Sequence, residues 1–146
     1  MKLYLVRHGD ALPPDLDPSS PLSQKGVLET QRLAKTLSEF NLEIDIVYHS
    51  VKLRAKQTAE ILFPNSNIIE KEGLKPNDTA EPIQQELEAT AQNIALVSHL
   101  PFLENLVRLL RIQELRSFSF GNTEILALER TAIWHLCWCL NPKIFY

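Results

Sequence analysis

Three observations predict an α/β fold with a mainly parallel sheet and helices on both faces. Short apolar runs of strand length alternate with longer stretches whose apolar residues recur at helical spacing. The 146 residues match one ordinary domain, able to close a core without disulfides or metal, so residues 1–146 are read as a single domain. Glycine is scarce at four residues, and no repeat or low-complexity tract interrupts the alternation.

The elements follow in order. Leu3 to Val6 reads as a buried first strand, ending in Arg7-His8-Gly9. Asp10 to Pro21 carries four prolines and reads as a loop. From Ser23 to Phe40, Val27, Leu33, Ala34, Leu37 and Phe40 recur at helical spacing, with Ser23 placed to cap. Asp45 to Tyr48 is a second strand, and Ser50 caps a helix to about Phe63 buried through Leu53, Ala55, Ala59 and Leu62. Asn67 to Ile69 reads as a short strand, and Glu70 to Asn77 as a polar loop. A helix from about Thr79 to Gln92 lines up Ile83, Leu87 and Ala91. Ile94-Ala95-Leu96-Val97 is the clearest buried strand. Pro101 opens the next helix, where a missing N–H costs nothing, and Phe102, Leu106, Leu109 and Leu110 form its apolar face. Glu124 to Leu140 reads as two antiparallel strands turning near Glu129 to Thr131.

Composition excludes several classes of function. Apolar residues are 45% and charged residues 23%, with a net charge of -3, so no basic surface for nucleic acid is expected. No segment approaches the ~20 apolar residues of a membrane span, and the first apolar run is too short for a signal-peptide core. A cytoplasmic protein is the expectation. The two cysteines, Cys137 and Cys139, provide no disulfide framework. With His135 they share one face of a strand, which brings a metal site to mind. No fourth ligand lies nearby, so the reading kept is a packed final strand whose thiols sit in apolar surroundings.

In parallel sheets, ligands bind beyond the carboxyl ends of the strands. Here those ends hold Arg7 and His8, then Arg54 a turn further on, then His99. Arginine forks match the oxygens of a phosphoryl dianion. A neutral imidazole is a good nucleophile near pH 7 and can carry a phosphoryl group covalently. The helix opening at Pro101 adds N-terminal backbone donors for an anion. Catalysis would come from in-line positioning and neutralisation of charge, with the arginines supplying the positive charge in place of a metal.

Four segments carry a resemblance. Leu5-Val6-Arg7-His8-Gly9-Asp10-Ala11 resembles the signature that opens the histidine phosphatase superfamily, also called the phosphoglycerate mutase-like family. Pro21-Leu22-Ser23-Gln24-Lys25-Gly26 is similar to the segment opening its first helix. Ser50-Val51-Lys52-Leu53-Arg54-Ala55-Lys56-Gln57-Thr58-Ala59 resembles its second motif, and Val97-Ser98-His99-Leu100-Pro101 its third. They occur in the family's order and span Leu3 to about Leu110. Within the superfamily, the short length and the Arg-His-Gly-Asp-Ala and Ser-His-Leu-Pro wording resemble SixA-type phosphohistidine phosphatases. The resemblance implies a three-layer αβα sandwich around a mixed sheet, with no cofactor. It implies His8 as nucleophile, Arg7, Arg54 and His99 as phosphoryl ligands, and the Leu100 backbone N–H as a further donor. It also implies a phosphorylated protein as substrate, such as a histidine-phosphotransfer domain or phosphocarrier.

The sequence departs from the family at the general acid. Many members place a glutamate between the second and third motifs, and the usual pattern is missing from Glu70 to Glu81. Asp78 is a candidate acid, but with Glu81 three residues on it fits better as a helix N-cap. Glu70 and Glu72 read as a solvated rim. A missing acid is tolerable for phosphohistidine, whose leaving nitrogen takes a proton readily from water, and harder on an alkyl phosphate. A phosphatase of a small metabolite is the alternative, and a non-catalytic phosphate-binding or partner-docking module is the alternative of another class. No phosphate-binding Gly-x4-Gly-Lys-Ser/Thr run occurs.

Overall fold

The computed structural model describes residues 1–145; Tyr146, the end of the expected domain, lies outside the described residues. Strands and helices run in the order β1 (Lys2–Arg7), α1 (Gln24–Leu37), β2 (Ile46–His49), α2 (Leu53–Leu62), β3 (Ile68–Glu70), α3 (Glu81–Ala89), β4 (Ile94–Ser98), α4 (Phe102–Leu109), β5 (Ile125–Arg130) and β6 (Trp134–Leu140). They form one six-stranded sheet in the order β3-β2-β4-β1-β5-β6. The pairings from β3 through β2 and β4 to β1 are parallel, whereas β1–β5 and β5–β6 are antiparallel. The sheet is therefore mixed, and mostly parallel as expected. No helix among the described residues is long and apolar enough to cross a membrane.

Uninterrupted apolar runs are what a strand buried on both faces requires. In β1, Leu3 and Leu5 enter one core with Ile83 and Leu87 of α3 and Phe102, Leu103 and Leu106 of α4. Tyr4 and Val6 point the other way, into a second core with Leu33 and Leu37 of α1 and Ala55, Ala59 and Leu62 of α2. β4 divides likewise, with Ile94 and Leu96 in the first core and Ala95 and Val97 in the second. Two cores on opposite faces make the three-layer αβα sandwich.

Most departures from the sequence reading fall at helix ends. α1 begins as expected, with Ser23 Oγ accepting from Gly26 N–H at 3.0 Å. It stops at Leu37, and the exposed Phe40 beyond it stands edge-on to Trp138, ring centroids 5.2 Å apart. α2 opens after Lys52 rather than at Ser50, so Leu53 falls in the first turn and is 37% exposed rather than buried. α3 ends at Ala89, leaving Ala91 outside it and exposed. Nor does Asp78 cap α3: Ala80 holds that position, and Asp78 Oδ2 instead accepts from Lys75 N–H at 2.9 Å within the preceding turn.

The final strand also needs correction. β6 is an edge strand, and both Cys137 and Cys139 are exposed instead of lying in apolar surroundings. The inward positions are Trp134 and Leu136, which join the first core, and Trp138 and Leu140, which join the second beyond a bulge opposite Ala127 and Leu128. Across the bulge His135 and Cys139 fall on opposite faces, so His135, Cys137 and Cys139 do not share the one face expected of them. Among the described residues no group of three metal-ligating side chains converges.

Gly26 sets how closely α1 approaches the chain that follows β1. A Cβ there would lie 2.0 Å from the Asp10 carbonyl oxygen, a backbone atom that cannot swing aside. Gly26→Ala is expected to cost about 3 kcal/mol, the scale of severe overpacking, and to lower Tm by roughly 10 °C. Thermal melts of the two chains check this; an unchanged Tm would show that the loop yields.

Candidate active site

The site is assembled by strand register. Arg7 stands opposite Ser98 in the parallel β1–β4 pair, and His8 N–H donates to Ser98 O at 3.1 Å. The next residues along the two strands are then His8 and His99, whose ring centroids lie 4.9 Å apart. His49 stands opposite Val97 in the β2–β4 pair, and Ser50 N–H donates to Val97 O at 3.1 Å, which puts Ser50 beside His99. Arg54, in the first turn of α2, reaches back with Nε 3.4 Å from His8 Nε2. The cluster expected from the sequence, Arg7, His8, Arg54 and His99, thus gathers at adjacent strand ends. Leu100 follows directly, joined to Pro101 by a cis peptide bond before α4.

Each side chain has a definite anchor. His8 Nδ1 lies 2.7 Å from Gly9 O, so it carries the proton and donates, leaving Nε2 with its lone pair. His8 O accepts from Thr123 N–H at 3.2 Å. Thr123 sits at φ 58°, a region β-branched residues avoid, at the head of β5. Arg7 Nη1 donates to Phe120 O at 2.8 Å, which tethers one arm of the guanidinium. Thr58 Oγ1 accepts from Gly9 N–H at 3.1 Å and donates to Arg54 O at 2.8 Å, tying α2 to the turn after the strand.

Burial governs the electrostatics. His8 is pushed down to about 4, chiefly by burial and further by Arg54 and Arg7, against the opposing effect of the bond to Gly9. His99 is pushed down to about 3, again chiefly by burial, with His8, Arg54, Lys52 and Arg7 adding to it. Both imidazoles are neutral at pH 7. Burial also lowers Arg7 and Arg54, but a guanidinium retains its charge. Two buried nitrogens, Arg7 Nε and His99 Nδ1, have no protein hydrogen-bond partner. Orphaned buried polar atoms are costly, and an oxyanion is the kind of partner a guanidinium N–H takes.

The candidate acid Asp78, and Asp10 two residues beyond His8, are both engaged elsewhere. Asp10 Oδ2 accepts from Ser23 Oγ at 2.6 Å, and Asp78 is held by Lys75. Glu70 and Glu72 are exposed, in keeping with a solvated rim. Sequence reasoning missed three contributors. Ser50 was expected to cap a helix, yet its Oγ lies 2.6 Å from His99 Nε2. Its place at the end of β2 was the available signal. Thr58 was read only as part of a motif, and the Phe120 carbonyl lies in a loop whose approach to Arg7 no local pattern encodes.

The family model described as histidine phosphatase superfamily (branch 1) matches residues 3–81. An uncharacterized protein of Picosynechococcus sp. (strain ATCC 27264 / PCC 7002 / PR-6) is 33% identical over 115 residues, covering 70% of this chain and 68% of that one. The protein histidine phosphatase SixA complexed with tungstate superposes with a TM-score of 0.84 at 24% identity over 100% of both chains. Phosphoserine phosphatase of Entamoeba histolytica in complex with 3-phosphoglyceric acid does so at 0.74 and 19% identity over 96% of both. The chain belongs to the histidine phosphatase superfamily, with the phosphoglycerate mutase-like fold and its likeness to SixA.

Proposed function

We propose that this chain is a phosphohistidine phosphatase acting on proteins, with His8 as the nucleophile and no metal in the reaction. His8 Nε2 attacks phosphorus in line while the bond to the substrate imidazole nitrogen breaks, and that nitrogen takes a proton from water. Water then attacks the His8 phosphoryl group, giving inorganic phosphate and regenerating the neutral imidazole. Arg7, Arg54, His99 and the Leu100 N–H hold the phosphoryl oxygens. The tungstate of the SixA relative is a tetrahedral oxyanion of the kind such a cradle would take.

The observation that carries the substrate class is the engagement of Asp10 and Asp78 by Ser23 and Lys75. A phosphoramidate needs a positioned acid least, because its leaving nitrogen is basic. An alkyl ester forgoes the ~100-fold or more that such an acid contributes. The likeness to a phosphoserine phosphatase makes a small ester the comparison to run. Phosphate release is followed in EDTA from a phosphohistidine-bearing phosphocarrier or histidine-phosphotransfer domain, and from phosphoserine. The expected outcome is release from the phosphohistidine protein at least about 100-fold faster. Rapid ester cleavage with the phosphohistidine protein untouched would move the substrate to a metabolite. Binding of inorganic phosphate without turnover of either would leave a binding module.

A further inference from the structure

Ser50 is completely buried at the end of β2. Its Oγ accepts from Lys52 N–H at 3.1 Å and lies 2.6 Å from His99 Nε2. A hydroxyl has one proton and two lone pairs. With one lone pair occupied by Lys52, its proton needs an acceptor, and the bond to His99 supplies one if Nε2 is bare. The reverse arrangement, with His99 Nε2–H donating, fills the second lone pair and leaves a buried hydroxyl proton without one of these partners. A buried donor left unpaired in this way is costly. The single proton of neutral His99 therefore sits on Nδ1, the buried nitrogen that has no protein partner.

We infer that Ser50 is a positioning residue that fixes His99 as its Nδ1–H tautomer, so that a neutral donor rather than a lone pair is offered to the phosphoryl oxygens. The other tautomer would place a lone pair against an anion. Burial among Arg54, Lys52 and Arg7 keeps His99 from gaining a second proton in the free protein, so the tautomer decides what the ring can offer. The inference about the proton stands on the hydrogen bonds of Ser50 together with the neutrality of His99; what Nδ1–H meets rests on the phosphatase reading above.

The test is the ring ¹⁵N spectrum of histidine-labelled protein at pH 7, with His99 assigned by loss of its signals in His99→Asn. A pyrrole-type Nδ1 and a pyridine-type Nε2 are expected for His99. In Ser50→Ala the ring should drift toward the other tautomer, and kcat should fall about 10- to 100-fold with KM little changed. Ser50→Thr, which keeps the hydroxyl, should restore both spectrum and rate. A protonated Nε2 in the native chain overturns the inference, whether or not Ser50→Ala folds. An unmoved tautomer and kcat in folded Ser50→Ala overturn it equally. The expected spectrum in a native chain that turns over neither substrate would uphold the Ser50 assignment and overturn the phosphatase reading instead.

Discussion

Replacing His8 with alanine is expected to lower phosphate release by about 10,000-fold or more, the scale on which enzymes lose activity when a covalent nucleophile is removed. That corresponds to roughly 5 kcal/mol of lost transition-state stabilisation. The fold should survive, because β1 is held through its backbone and through Leu3, Tyr4, Leu5 and Val6, all buried in the two cores. Inorganic phosphate should still bind, because Arg7, Arg54 and His99 remain. Rapid-quench labelling provides the second readout. The native chain should carry acid-labile, base-stable phosphate on His8 during turnover, and the variant none. Variant activity within tenfold of native would remove His8 from the nucleophile's role.

Acidification is expected to destabilise the free protein well before pH 4. The folded-state values of His8 and His99, about 4 and about 3, lie below the ordinary value of 6.5 that the unfolded chain restores. Above pH 6.5 both rings are neutral in both states and contribute nothing to the pH dependence. Between 6.5 and the folded values the unfolded chain binds protons that the folded chain refuses, so stability falls with pH. By pH 4.5 the loss should reach roughly 4 kcal/mol for the pair, after allowance for solvent screening. Urea midpoints at pH 7.5, 6.5, 5.5 and 4.5 measure it, and His8→Ala should flatten part of the slope. Saturating phosphate should also flatten it, because the bound dianion favours protonated imidazole. A midpoint independent of pH from 7.5 to 4.5 in the free protein would show that the two rings protonate freely within the fold.

The parts of the molecule legible in the sequence were those carried by period and by strand ends. Leu3 to Val6 and Ile94 to Val97 are apolar at every position because both faces of the sheet are covered, and that pattern placed His8 and His99 at neighbouring ends. Helix boundaries were less legible. Ser50 and Asp78 both have the side chains of N-caps, and both spend them on other partners, His99 and the Lys75 turn. Capping preference is worth only ~1 kcal/mol, the same scale as the bonds that compete for these side chains, one tertiary and one within a turn. Cys137 and Cys139 were misplaced because alternation along a strand shows neither that the strand is an edge nor that a bulge moves its apolar residues from one face of the sheet to the other. The tether from Phe120 O to Arg7 joins residues far apart in sequence, beyond the reach of local pattern.

β1 is the strand at which the parallel and antiparallel halves of the sheet meet, and His8 is held on both sides, by Ser98 and by Thr123. His8, the proposed nucleophile, is thus seated on interior scaffolding, while segments 10–21, 71–80 and 116–123 connect the elements around it. Such an arrangement separates inheritance from innovation. On the proposed function, changes in the outer loops can retune which phosphorylated molecule is admitted without shifting His8 Nε2. A family built this way can diversify in clientele while its chemistry stays constant.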